Sequence, residues 1–260
     1  MVRLAALLVI LSASASTTTA ETGFLDRSVT VAGEAHRYQV YVPPDWSSNQ
    51  KWPVILFLHG AGERGRDGIL QTQVGLGAAI RRDRTRFPAV VVFPQAREGQ
   101  RWSDLPMLQS ALAALDAATK EFNGDPDRVY GTGLSLGGQG IVRMASRMPG
   151  KFAAVVSICG PYSSPKMDEA DRAIYQYLSS EDPFSALASL VKETPLWLFH
   201  GDADASVPVE NSRRLNAALQ AAGADVRYTE YAGVNHNSWD SAFAEKELMP
   251  WLLAKRRKGN

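Results

Sequence analysis

The sequence predicts an α/β protein: a doubly wound, mostly parallel sheet flanked by helices and entered through an N-terminal antiparallel hairpin. Three observations carry that expectation. Strand-like and helix-like runs alternate along most of the 260 residues. Residues 53–58 (Pro-Val-Ile-Leu-Phe-Leu) are almost wholly apolar, as a central strand covered on both faces must be. Residues 27–31 and 36–42 instead alternate polar and apolar around Gly33-Glu34, the pattern of a half-buried hairpin.

Taken in order, the chain opens with a segment set apart from the fold. Arg3 supplies a positive start and residues 4–11 an apolar run too short to span a bilayer; Ala13-Ser14-Ala15 or Thr18-Thr19-Ala20 offers small residues for cleavage. Residues 1–20 therefore read as a secretory signal peptide, with residues 21–260 forming one domain, secreted or periplasmic. Removing the signal costs only Arg3 of the 28 basic residues against 27 acidic ones. The mature chain is then formally neutral, which gives no pull toward nucleic acid or an anionic membrane. No cysteine lies near the cleavage region, so no stable membrane anchor is expected.

Beyond the hairpin, which Pro43-Pro44 ends, further strands are expected at 89–93, 128–133, 153–158, 195–199 and 226–231. Helices are expected near 74–84, 105–121, 136–147, 209–222 and 239–254. This alternation builds a parallel sheet with functional groups at the carboxyl ends of its strands. Residues 160–190 break the rhythm with Pro161, Pro165 and Pro183 around an amphipathic stretch at 168–178. That stretch reads as a small cap or as a surface helix packed on the body. Basic clusters at 81–86 and 255–258 sit at expected helix C-terminal ends, where cations suit the dipole. Nucleic-acid binding is not expected. The lone Cys159 lies in an apolar strand and reads as a packed structural thiol.

The candidate chemistry centres on Gly133-Leu134-Ser135-Leu136-Gly137, placed between a strand-like and a helix-like run. A serine lifted on such a turn can act as a nucleophile if a base and an orienting acid reach it. Gly-x-Ser-x-Gly is a loose pattern, because Ser and Gly collect at turns, and the remaining blocks must decide. Of the four histidines, His36 lies in the hairpin, and His59 and His200 directly precede glycines at strand ends. His236 occupies the polar loop Gly233-Val234-Asn235-His236-Asn237 and is the candidate base. Two carboxylates follow the strand at 195–199. Asp204, further into the loop, is the better placed to reach His236, while Asp202 supports the loop. A calcium-type metal site at His200, Asp202 and Asp204 lacks the further spaced oxygen ligands. No metal or cofactor is expected.

These blocks, with Leu58-His59-Gly60-Ala61-Gly62-Glu63-Arg64-Gly65 and Phe93-Pro94-Gln95, resemble the secreted esterases of the α/β-hydrolase fold. The nearest group is the one labelled predicted peptidase, phospholipase/carboxylesterase-like or polyhydroxybutyrate-depolymerase-like, related to feruloyl and acetylxylan esterases. The resemblance covers residues 54–239 and includes the chain order Ser, acid, His typical of that fold. It implies a triad of Ser135, Asp204 and His236, with an oxyanion hole from the backbone N–H groups of Ala61 and Leu136; Gly62 is an alternative to Ala61. It further implies acyl-enzyme hydrolysis of short-acyl or hydroxycinnamoyl esters, free or polysaccharide-linked. Glu63 and Arg64 are expected to brace the oxyanion loop or to form an exposed ion pair. Trp102 and Trp239 are candidate walls for substrate or members of the core, and Gln95 a substrate-positioning or loop-positioning residue. Two other readings remain: a serine peptidase of the prolyl-oligopeptidase type, ranked lower because the chain lacks room for a propeller, and a catalytically silent binding protein.

Overall fold

The computed structural model describes residues 21–163 and 169–257; the proposed signal segment lies outside them. Eight strands form one sheet: β1 (Gly23–Val31), β2 (Glu34–Val42), β3 (Trp52–Leu58), β4 (Val90–Pro94), β5 (Gly124–Leu134), β6 (Ala154–Ile158), β7 (Leu196–Gly201) and β8 (Val226–Tyr231). Their order is β1-β2-β4-β3-β5-β6-β7-β8. The β1–β2 and β2–β4 pairs are antiparallel and all others parallel, the architecture of an α/β-hydrolase. Ala32 and Gly33, with φ of 49° and 83°, turn the hairpin. Positive φ at both central residues matches the turn to the twist of its strands.

Eight helices complete the described fold: α1 (Leu76–Arg82), α2 (Leu105–Glu121), α3 (Leu136–Arg147), α4 (Glu169–Ile174), α5 (Pro183–Val191), α6 (Glu210–Ala221), α7 (Trp239–Ala244) and α8 (Leu248–Leu253). The core divides across the sheet. One apolar layer joins Val54, Leu56 and Leu58 of β3 to α2, α3, α5 and α6. The other joins Ile55 and Phe57 of the same strand to α1, α7 and α8. Every residue of β3 is buried, because its alternate side chains serve both layers. No helix among the described residues is long and apolar enough to cross a membrane.

Three expectations change. The single helix at 239–254 is two, α7 and α8. Pro250 has no backbone N–H and its ring excludes a continuous preceding turn, so it falls within the first turn of a restarted helix. The stretch at 168–178 is not one helix: α4 stops at Ile174 and a 3-10 turn spans Gln176–Ser179; Asp168 lies outside the described residues. Residues 183–191 form a helix not foreseen, with Pro183 at its start and Asp182 accepting from the Phe184 amide at 3.1 Å, a side-chain cap on an otherwise free donor.

The irregular segment packs on the body. Tyr175, Tyr177, Leu178, Phe184 and Leu187 join the α3-side core. Asp171 of α4, nearly buried, accepts from Arg143 of α3 at 2.9 Å and from Arg101 of the loop after β4 at 2.9 Å. Arg143 is itself buried, stacks over the Tyr175 ring at 4.6 Å and donates to the Tyr177 hydroxyl at 3.2 Å. A buried carboxylate between two guanidinium groups holds its geometry because removing any member strands a charge away from water.

Candidate active site

Ser135 stands at the junction of β5 and α3 with φ 51° and ψ −117°, a conformation unfavourable for a residue with a Cβ. The surroundings enforce it. A Cβ at Gly137 would strike the carbonyl oxygen of Leu58, and one at Gly133 the carbonyl oxygen of Gly137, so both positions require glycine for α3 to approach the sheet. The Ser135 amide donates to the Ile158 carbonyl at 2.8 Å, fixing the turn to β6. Leu136 is the first residue of α3, where backbone N–H groups have no partner within the helix and carry its positive end.

The loops after β7 and β8 bring two further groups to Ser135. Its hydroxyl and His236 Nε2 lie 2.9 Å apart, and His236 Nδ1 donates to Asp204 Oδ2 at 2.7 Å. The Asp204 carboxylate is fully buried and accepts from four groups. Oδ1 takes the Ser206 and Val207 amides, each at 2.8 Å. Oδ2 takes His236 and also His200 Nε2 at 3.1 Å. Burial alone would raise this carboxyl; the His236 hydrogen bond and the Val207 and Ser206 amides outweigh it and hold Asp204 below the usual carboxylate range. Asp202 does not join the line: its Oδ1 accepts from the Gly233 amide at 2.6 Å, tying the loop after β7 to the loop that carries His236.

The sequence offers His200 only as a strand-end histidine and as a member of a disfavoured metal set. Its Nε2 faces two acceptors, Asp204 and the Val207 carbonyl at 3.0 Å, and therefore carries the proton; Nδ1 then accepts from the Ser212 hydroxyl at 2.7 Å. Burial pushes the ring below its ordinary pKa, so it serves as a neutral donor. The available signal was the spacing, a histidine four residues before the acid in His200-Gly201-Asp202-Ala203-Asp204. Cys159 is buried as a packed thiol, and its Sγ lies within 4.8 Å of ligand atoms of Asp204 and His236. Burial pushes the thiol up to about 12, leaving it protonated and a poor metal ligand.

On the opposite side, the loop after β3 begins with a 3-10 turn at Ala61–Glu63. His59 behind it is fully buried. Its Nε2 accepts from the Ala96 amide at 2.9 Å and its Nδ1 donates to the Gly60 carbonyl at 2.6 Å. Arg64 Nε donates to the Ala61 carbonyl at 2.8 Å and makes no ion pair with Glu63. Gln95 is buried and positions this loop, accepting from the Gly68 amide at 2.8 Å and donating to the Glu63 carbonyl at 3.1 Å. Trp102 corrects one expectation. It is 1% exposed, its indole N–H donates to the His59 carbonyl at 2.9 Å, and its ring meets His59 edge-on. It belongs to the core beneath the loop and offers no wall to substrate. Trp239 is half-buried with its ring 5.5 Å from that of His236 at an interplanar angle of 88°, beside the site.

Such a sheet, with a serine on the turn after its fifth strand, defines the class of α/β-hydrolase folds. The chain belongs to the prolyl oligopeptidase family, whose model matches residues 107–253. Among curated relatives, NocK of Nocardia uniformis subsp. tsuyamanensis, named as an esterase, is 28% identical over 79% of this chain and 62% of its own length. Dipeptidyl-peptidase 5 of Porphyromonas gingivalis is 22% identical over 76% of this chain and 32% of its own. A solved thermostable esterase is 31% identical with a TM-score of 0.72, covering 90% of this chain and 63% of that one. A ferulic acid esterase, at 18% identity and TM-score 0.68 over 88% of this chain and 97% of that one, shares the fold. The chain thus spans less than two thirds of NocK, the peptidase and the thermostable esterase.

Proposed function

We propose that this chain is a carboxylic-ester hydrolase in which Ser135 is the nucleophile, His236 the general base and acid, and Asp204 the orienting carboxylate. The unbroken hydrogen-bonded line from Ser135 Oγ through His236 to Asp204 is the observation that carries this reading. Ser135 Oγ attacks the acyl carbonyl as its proton passes to His236 Nε2. Asp204 stabilises the resulting imidazolium without taking its proton. The Ala61 and Leu136 amides receive the oxyanion, which two such donors stabilise by several kcal/mol. His236 returns the proton to the departing alkoxide, and a water activated by the same ring then releases the acid.

The substrates we favour are short-acyl or hydroxycinnamoyl esters, free or polysaccharide-linked, with Trp239 as an apolar wall beside the reacting carbonyl. The esterase names of NocK and of the solved relatives support this class. A peptidase reading is favoured by a different observation, the family match and the similarity to a dipeptidyl-peptidase. We also infer one catalytic domain at residues 21–260 behind a signal peptide at 1–20, which makes the protein secreted or periplasmic; a relative named as a secreted protein, from Arthroderma benhamiae and 30% identical over 72% of this chain, is consistent with export.

A panel of p-nitrophenyl acetate and butyrate, methyl ferulate, acetylated xylan and a prolyl peptide separates these readings. Turnover of the esters with little peptide cleavage is expected, together with its loss by a factor on the order of 10⁴ to 10⁶ in Ser135→Ala. Preferential cleavage of the peptide sinks the ester assignment, and undiminished turnover in the variant sinks the nucleophile.

A further inference from the structure

Of the pentapeptide Gly233-Val234-Asn235-His236-Asn237, the proposed reaction uses His236 alone. The loop that carries this run is stitched to the loop after β7. The Gly233 amide donates to Asp202 Oδ1 at 2.6 Å, and the Ala203 amide to the Val234 carbonyl at 3.1 Å. A Cβ at Gly201 would strike that same carbonyl oxygen, so the two backbones touch there. Closer to the reacting groups, His236 Nδ1 reaches Asp204 Oδ2 at 2.7 Å. Asn235 completes the seam: its Oδ1 accepts from the Ala205 amide at 3.0 Å and from the His236 amide at 2.7 Å.

Both partners of that oxygen are N–H donors, which settles the orientation of the carboxamide, since its nitrogen could accept from neither. The two bonds reach the backbone of the proposed base and the backbone of the residue directly after the proposed acid. One side-chain atom therefore sets the spacing of the peptide segments from which His236 and Asp204 project. The imidazole needs such a frame. It faces Ser135 Oγ at 2.9 Å on one side and Asp204 on the other, and it serves both only while its own backbone is held in place.

That the acceptor is an amide has a second consequence. An aspartate in this place would take the same two N–H groups more strongly, but it would set a second negative charge beside His236. Asp204 already supplies one. The other titratable groups around the pair carry no charge: His200 is a neutral donor to Asp204, and the Cys159 thiol, within 4.8 Å of ligand atoms of both residues, keeps its proton. Asp240 of α7 is engaged by Asn237 at 3.0 Å and by Arg82 at 3.4 Å. A second adjacent carboxylate would favour the imidazolium, and a ring that already holds the proton cannot take one from Ser135. We propose that Asn235 is a positioning residue, clamping the loop of the base to the loop of the acid through an uncharged acceptor. This role presupposes those proposed for Ser135, Asp204 and His236.

Kinetics on p-nitrophenyl acetate across the range in which histidine titrates, together with hydrogen exchange at the Ala205 and His236 amides, tests it. Asn235→Ala, with thermal unfolding as its fold control, should lower kcat roughly tenfold at every pH with KM unchanged, two hydrogen bonds having been lost. It should also speed exchange at both amides. Asn235→Asp should restore their protection and, at the alkaline plateau, most of kcat. Its acid limb should move to higher pH by about half a unit, a shift that added salt diminishes. Unchanged kcat and exchange in Asn235→Ala overturn the clamp, and a rise in KM alone makes Asn235 a substrate contact instead. An Asn235→Asp that loses as much of the plateau as Asn235→Ala, or whose acid limb stays in place, overturns the assignment as well. Ser135→Ala keeps the two readings apart: turnover surviving in that variant overturns the nucleophile, whereas turnover lost there and undiminished in Asn235→Ala overturns the clamp alone.

Discussion

Phe57-Leu58-His59-Gly60 at the end of β3 and Leu198-Phe199-His200-Gly201 at the end of β7 are almost the same tetrapeptide, and the fold uses their histidines differently. His59 bonds to backbone only, joining the Gly60 carbonyl to the Ala96 amide. His200 bonds to the Asp204 carboxylate, the Val207 carbonyl and the Ser212 hydroxyl. Both rings are fully buried. The first shapes the loop after β3, and its partners could be met by any group with one donor and one acceptor. The second belongs to the electrostatics of a charged group. A buried strand-end histidine is thus a general brace whose functional weight depends on what it touches.

The contrast can be broken at its most sensitive point, the carboxylate that His200 supports. Asp204→Asn should lower kcat on p-nitrophenyl acetate by roughly 10⁴-fold, because an amide fixes the wrong tautomer of His236 and cannot stabilise its charged form; steady-state kinetics reads this. The next effect concerns His59. Burial lowers its pKa from 6.5 to about 4, so between those values the unfolded chain holds a proton that the native chain lacks. Stability from this site is complete above pH 6.5 and falls as pH drops toward 4, by a total on the order of 3 kcal/mol. Urea titrations across that range should show the loss, and His59→Gln should flatten the slope. Smallest is His200 itself. His200→Leu should lower kcat by roughly tenfold with KM unchanged, one hydrogen bond to a charge being lost, and His200→Gln, which keeps a donor, should recover part of it. A change in KM alone would assign His200 to loop shape, as with His59.

The sheet and its outer helices were legible because burial imposes period: the apolar run of β3, the alternation of the hairpin and the helical spacing of α2 and α3 each record their surroundings. The meeting of Ser135, Asp204 and His236 was legible from the chain order of three strand-end loops, since a parallel sheet delivers such loops to one edge. What escaped were facts of side-chain reach. Trp102 sits in a loop by sequence, and only the approach of α3 at Gly140, where a Cβ would press on the indole, shows why it is core. The Arg101–Asp171–Arg143 cluster joins three segments distant in sequence. Its one local sign was Arg143 among the apolar residues of α3, a charge that must find a partner if buried. The break before α8 was announced by Pro250 and outweighed by the apolar spacing around it.

The backbone at Ser135 has a consequence of another kind. A non-glycine residue at φ 51° stores about 1–3 kcal/mol of conformational energy, which glycine would release at some expense in unfolded-chain entropy. Selection of variants by heat resistance alone therefore has an incentive to discard the hydroxyl, and a library ranked only by melting temperature would enrich molecules that fold better but lack the proposed nucleophile. Engineering this chain for robustness needs turnover in the screen from the first round.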